Sequence, residues 1–314
     1  TRCDGLDNDC DGYVDGLALK CRGQEGVLST REDEKAYGVA FDAQGRPYMA
    51  GWTDANDTHT EREGYWARYS PGGERQKLVS FGSVEYDNFY DIAIGPDGEI
   101  FAVGESFGEF DSQQYSGGDD EDGDFAIVKF NTAGDLQWVR LLGGEGGDQA
   151  QAVTVDEQGD VYVAGETKSD LGSPNVGAID VAVTKYDGDG NREWLKQIGT
   201  TKEERVDGIA LDNTGGVAVV GHTAGSFPQT TNSGSSDAFV ARFGTDGGAA
   251  GVTLLGTSEF DAANAVVSNA DGALYVAGET EGDLRGQQYQ GGTGDGFVVK
   301  IANNGTYEWT RIFG

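Results

Sequence analysis

The chain has 314 residues and a formal charge of −32, from 22 Lys plus Arg against 54 Asp plus Glu. That excess argues against nucleic acid or an anionic membrane as a partner, because both would repel it, and it suits a solvated secreted surface or a calcium-rich one. Glycine is high at 52 and proline low at 5, without the Gly-x-y period of collagen and without a run of 18 apolar residues. Short apolar runs punctuated by Gly, Asp and Asn predict many strands and tight turns.

Thr1, with no Met and no leader pattern before it, reads as a processed or truncated start. Residues 3–16 read CDGLDNDCDGYVDG. Asp7, Asp9, Asp11 and Asp15 fall at positions 1, 3, 5 and 9 of a calcium loop, with Gly12 at the turn and the Tyr13 carbonyl at position 7. Hard oxygen ligands at alternating positions suit Ca²⁺, because a chain curling around the ion turns every second side chain inward. Position 12, a bidentate Glu in an EF-hand, is Ala18 here, so a further oxygen comes from elsewhere or from water. The competing reading is a solvated acidic turn. All three cysteines, Cys3, Cys10 and Cys21, lie in this segment and point to an oxidising compartment. Their odd count leaves one without an intrachain partner. Thiolates with no nearby His match a zinc site poorly, so disulfide formation is the expectation. The segment resembles the MopE-like metal-binding motif of secreted bacterial proteins, and the resemblance implies metal-binding roles for Asp7, Asp9 and Asp11.

After Thr30 one pattern recurs five times. Its first half reads VAFDAQGRPYMAG, IAIGPDGEIFAVG, VTVDEQGDVYVAG, IALDNTGGVAVVG and VVSNADGALYVAG, ending at Gly51, Gly104, Gly165, Gly221 and Gly278. Its second half ends at Gly82, Gly143, Gly199, Gly256 and Gly314. A first turn glycine precedes the first of these by six residues in every copy, and a second turn glycine precedes the last by nine. The length varies in one place, across the connection between the second and third strands, where the strand b glycine and the second turn glycine stand 22 to 30 residues apart. Fixed spacings mark constrained connections, and a variable one marks a surface loop. Each copy therefore holds four strands, a to d, joined by glycine hairpins.

Repeats of this length and strand number predict an all-β fold, a β-propeller of five four-stranded blades behind a short disulfide and calcium loop module. The boundaries are 1–29 for the module and 30–314 for the propeller, with blades at 30–82, 83–143, 144–199, 200–256 and 257–314. The ring is expected to close with five blades, a stacked solenoid being the alternative. Setting Asp42 on Asp212 places Ser29 at the position of Gly199, so Gly23–Ser29 reads as a spare strand. The run SFPQTTNSGSSDAFVARF (226–243) and the recurring DxxGxxYVAGxT resemble the bacterial SBBP β-propeller repeat over residues 30–314. That resemblance implies a propeller with strand a nearest the axis, in secreted or surface proteins.

In the second copy the connection between strands b and c carries Asp119, Asp120, Glu121, Asp122 and Asp124. It reads as a second calcium site or as a solvated charge run. Asp124, Asp180, Asp237 and Asp295 open strand c and Lys129, Lys185, Arg242 and Lys300 close it, positions read as turn bonds or inter-blade ion pairs. Trp138, Trp194 and Trp309 share one strand d position and are read as blade packing rather than a sugar platform. Glu105, Glu166 and Glu279 follow the strand b glycine and converge at one mouth of the ring in a carboxylate lyase or hydrolase reading. His59 and His222 have no matched nucleophile.

These features read as a non-enzymatic, secreted or cell-surface structural protein. It would be a calcium-supported subunit of an extracellular fibre, layer or matrix joined head to tail, with its own copies or other surface proteins as partners. A binding module that recognises a glycan or surface protein through its b–c loops is the alternative.

Overall fold

The computed structural model describes residues 33–54, 62–110, 113–118, 122–212 and 215–314. Their strands fall into five antiparallel sheets of four, each in sequence order. The first holds β1 (Glu34–Phe41), β2 (Pro47–Thr53), β3 (Glu63–Tyr69) and β4 (Arg75–Phe81). The second holds β5 (Asp87–Ile94), β6 (Ile100–Ser106), β7 (Asp124–Phe130) and β8 (Leu136–Leu142). The third holds β9 (Asp148–Val155), β10 (Val161–Thr167), β11 (Asp180–Tyr186) and β12 (Arg192–Ile198). The fourth holds β13 (Glu204–Leu211), β14 (Val217–Thr223), β15 (Asp237–Phe243) and β16 (Ala249–Leu255). The fifth holds β17 (Asp261–Ser268), β18 (Leu274–Thr280), β19 (Asp295–Ile301) and β20 (Tyr307–Phe313). Five such sheets are the blades of a five-blade propeller pattern. Among the described residues no helix is long and apolar enough to cross a membrane.

The turn chemistry follows from the sequence. Asp42, Asn131, Asp156, Asp187 and Asn269 each accept two backbone N–H groups two and four residues on, which fixes an Asx turn. The ten turn glycines follow at φ between 71° and 89°, where a side chain would be strained. The second repeat glycine departs from the expectation. Gly51, Gly104, Gly165, Gly221 and Gly278 lie two residues inside strand b rather than at its end. Strand a bulges opposite each of them. A Cβ on Gly104 would sit 1.8 Å from the Asn88 carbonyl oxygen, so the glycine is a requirement of the bulge.

The chain divides into two compact units. The first contains β1–β6 with most of β7 and β8, and its core lies between the first two sheets, where Tyr48, Trp66, Phe89, Ile100 and Phe130 interlock. The second contains β9–β20 with residues 116–125. It has one core between the third and fourth sheets, around Tyr162, Val183, Phe239 and Phe243, and another between the fourth and fifth, around Val220, Val240, Val276 and Phe297. Apolar faces of successive strands b and c bury one another because neither face of a single meander can do so alone.

Candidate functional site

The calcium-loop residues Asp7, Asp9, Asp11, Tyr13 and Asp15, the cysteines Cys3, Cys10 and Cys21, and the segment Gly23–Ser29 lie outside the described residues, as do Asp119, Asp120, Glu121 and His59. Of the second predicted metal cluster, Asp122 faces Lys168 at 4.0 Å, and Asp124 is fully buried at the start of β7.

Asp124 belongs to a repeated arrangement. At four successive junctions, the N–H of the acid that opens strand a bonds the carbonyl just before the acid that opens the preceding strand c. The bonds run Asp87 to Arg62 (3.0 Å), Asp148 to Gly123 (2.6 Å), Glu204 to Ile179 (3.0 Å) and Asp261 to Ser236 (2.9 Å). Two acidic residues therefore stand side by side at each junction: Glu63 with Asp87, Asp124 with Asp148, Asp180 with Glu204, and Asp237 with Asp261. All but Glu63 are buried.

Each of the six aspartates is anchored by one oxygen. The b–c loop supplies an N–H to Oδ2 of the strand c acid, from Ser116 to Asp124 (2.8 Å), Val176 to Asp180 (3.1 Å) and Ser233 to Asp237 (2.9 Å). The d–a loop supplies an N–H to the strand a acid, from Gly144 to Asp148 Oδ2 (2.9 Å) and from Thr257 to Asp261 Oδ2 (2.6 Å). Hydroxyls add to it, from Ser169 to Asp148 (2.9 Å) and from Thr257 to Asp261 (2.9 Å). The other oxygen is bare. Oδ1 of Asp87, Asp124, Asp148, Asp180, Asp237, Asp261 and Asp295 is buried without a hydrogen-bond partner. The repeat glycine ending strand d makes the space, since a Cβ on Gly143 or Gly199 would lie 2.0 Å from Oδ1 of Asp124 or Asp180. Glu204 is the exception. Its longer side chain takes hydroxyls from Thr200 and Thr223, each at 2.7 Å, as well as the Thr200 N–H, and leaves no oxygen bare.

Burial pushes Asp87 and Asp124 up to about 7, and the charge of Asp148 adds to the effect on Asp124. Burial also raises Asp148, Asp237 and Asp261, with Asp261 adding to the shift of Asp237. These are desolvated anions beside like charges.

A second feature is a cavity of about 130 Å³ lined by Gly147, Gln149, Glu166, Lys168, Ile179 and Arg205. Arg205 donates to Glu166 at 2.6 Å, and the Val206 N–H donates to the same carboxylate at 3.2 Å. Burial raises Glu166 while Arg205 pulls the other way. Glu279 is exposed and lines no part of this cavity. Glu105 accepts from Asn88 at 2.8 Å and from the Tyr90 hydroxyl. His222 lies 3.3 Å from Asp207 and edge-on to Phe260.

Three of the bases closing strand c pair within their own blades, Lys129 with Glu99 (3.2 Å), Lys185 with Asp160 and Glu193 (2.7 Å each), and Lys300 with Glu308 (2.7 Å), whereas Arg242 of the fourth reaches the Ala302 carbonyl of the fifth at 3.3 Å. Trp194 meets Tyr162 of its own blade edge-on, stacks on Phe243 of the next and donates to the Thr245 carbonyl at 2.9 Å, which is blade packing.

Residues 137–172, from β8 through β10, match the family model described as SBBP: Beta-propeller repeat. The chain is 27% identical over 260 residues to Regulatory protein FlaEY of Caulobacter vibrioides, covering 76% of this chain and 27% of that protein's length. Among solved structures it is similar to the Neurospora crassa Pan2 WD40 domain, with 10% identity, a TM-score of 0.49, and coverage of 89% of this chain and 66% of that one. It is also similar to a polysaccharide lyase of family PL25, an ulvan lyase, with 12% identity, a TM-score of 0.49, and coverage of 87% and 73%. The chain is an all-β, β-propeller repeat protein.

Proposed function

We propose that this chain is a structural module of an extracellular bacterial surface, a non-enzymatic propeller subunit joined head to tail to further copies. The observation that carries the reading is an apolar face on the fifth sheet. Tyr162, Ala164 and Val183 of the third sheet are buried under the sheet that follows, whereas Tyr275, Ala277 and Val298, at the equivalent positions of the fifth, are half-buried. On β1, Val39 and Phe41 are 66% and 64% exposed, although Ile92 and Val153, equivalent to Val39, are buried. A face of the fifth-blade type fits a face of the first-blade type from a second copy, by the same geometry that packs successive blades. Such a contact is heterologous and propagates unless the rotation closes. The charge of −32 favours assembly in the presence of divalent cations, with Asp7, Asp9, Asp11 and Asp15 ordering the amino-terminal module on Ca²⁺ and the three cysteines forming a disulfide there.

Light scattering on the full chain tests it. Particle mass should rise with concentration and with Ca²⁺, and fall in EDTA and in Val39→Asp or Tyr275→Asp. A chain that stays monomeric at high concentration with Ca²⁺ present refutes the assembly.

The polar cavity at Glu166 and Arg205 supports a second reading, a binding module for a sugar or other polar ligand. A glycan array probed with the parent and Arg205→Met separates the two.

A further inference from the structure

We infer that the buried carboxylate pairs Asp124–Asp148 and Asp237–Asp261 each hold a divalent cation, Ca²⁺, between neighbouring blades. The argument starts from where the donors go. In both pairs the loop donors are directed at Oδ2, from the N–H groups of Ser116, Gly144, Ser233 and Thr257 and the hydroxyls of Ser169 and Thr257, while the Thr167 and Thr280 hydroxyls also stand beside Asp148 and Asp261. Oδ1 of all four residues is left buried with no partner. The four side chains are no more than 1% exposed. Buried polar atoms in a folded protein are satisfied almost without exception, so four bare carboxylate oxygens in two equivalent places point to something that supplies positive charge.

Proximity is fixed by the backbone. The Asp148 N–H bonds the Gly123 carbonyl and the Asp261 N–H bonds the Ser236 carbonyl, so the paired acids stand about one strand spacing, roughly 4.8 Å, apart. Among the described residues no Lys or Arg forms an ion pair with any of the four. A single proton neutralises only one member of a pair. A divalent cation neutralises both and bridges strand c of one blade to strand a of the next. Two hard carboxylate oxygens suit Ca²⁺, whose coordination is flexible, better than Mg²⁺, which demands an octahedron.

The junction between Asp180 and Glu204 is a built-in control. Glu204 has all its oxygens bonded to Thr200 and Thr223, so one carboxylate there is already satisfied without a metal.

The test is calorimetric titration of the full chain with Ca²⁺, in an Asp9→Ala background that silences the amino-terminal loop. Ca²⁺ should bind in two equivalents. Asp124→Asn and Asp237→Asn should each remove one, while Asp180→Asn removes none. Asn keeps the acceptor for the loop N–H, so in EDTA these variants should melt no lower than the parent. They should also lose the rise in melting temperature that Ca²⁺ gives the parent, which separates a lost site from a lost fold. No binding at millimolar Ca²⁺, or equal loss in Asp180→Asn, overturns the inference, as does a preference for Mg²⁺.

Discussion

Asp87 offers the most direct test of what buried carboxylates do to this fold. Its side chain is 1% exposed, takes Ser83 hydrogen bonds on Oδ2, and leaves Oδ1 bare. Burial lifts it from 3.8 to about 7, against the lowering effect of Ser106 and Ser83. Roughly three units at 1.36 kcal/mol each is about 4 kcal/mol of differential stability. The sign follows from the raised value. The folded state keeps the proton while the unfolded chain gives it up, so the contribution is complete below the unfolded value. It shrinks as pH rises and is lost by about 7. Asp87→Asn carries no proton to lose. Its stability relative to the parent should therefore improve by up to about 4 kcal/mol between about pH 4 and about pH 7.5. Urea unfolding of both chains at several pH values in EDTA, followed by tryptophan fluorescence, measures that difference. Two curves that stay parallel across the window refute the account of Asp87 as a desolvated acid.

Three other outcomes are expected. Gly165→Ala places a methyl 2.0 Å from the Gln149 carbonyl oxygen and should cost about 3 kcal/mol or more, whereas Gly159→Ala, with open space but φ of 84°, should cost about 1–2 kcal/mol; urea midpoints in the reverse order would contradict the bulge. Trp66→Ala empties a fully buried site between Tyr48 and Phe130 and should cost about 3–5 kcal/mol by the same measurement. Glu204→Asp shortens the one carboxylate that reaches both threonine hydroxyls. It should lose about 1 kcal/mol per hydrogen bond in EDTA and gain a Ca²⁺ equivalent by calorimetry.

The repeat was legible because its punctuation is chemical. Turn glycines that need positive φ and Asx residues before them recur at fixed spacing, and all twenty described strands fall between them. Gly165 and its equivalents were misplaced for a physical reason. A glycine that ends a strand and one that admits a bulged neighbour look alike until the partner strand is paired. The strand c acids were read as turn bonds or inter-blade ion pairs, and the loop N–H groups on Asp124, Asp180 and Asp237 are of the first kind. Their partners on strand a went unread because each pair joins two different copies. A signal was present all the same: Glu63 to Asp87, Asp124 to Asp148, Asp180 to Glu204 and Asp237 to Asp261 are each 24 residues apart. The strand a acids also follow the Gly-Ser, Gly-Gly or Gly-Thr that ends the preceding copy, as in GSVEYD and GTSEFD.

That constant separation bears on why the acids are there. A propeller repeat can fasten blade to blade with apolar faces alone, and the Tyr162–Phe243 and Val220–Val299 cores do so. Replacing a buried ionic pair by hydrophobic residues is often neutral or stabilising, so a charge pair repeated at four junctions is not explained by stability in its uncharged surroundings. It is explained if the junction is meant to respond to what neutralises it. Each pair sits at the edge where strand c of one copy meets strand a of the next, the place where a change of charge would loosen or tighten the step between blades. The Asp180–Glu204 junction, where threonines satisfy Glu204, would hold without help, while Asp124–Asp148 and Asp237–Asp261 on either side of it would tighten with Ca²⁺. An array built this way would stiffen where divalent cation is plentiful and yield where it is scarce.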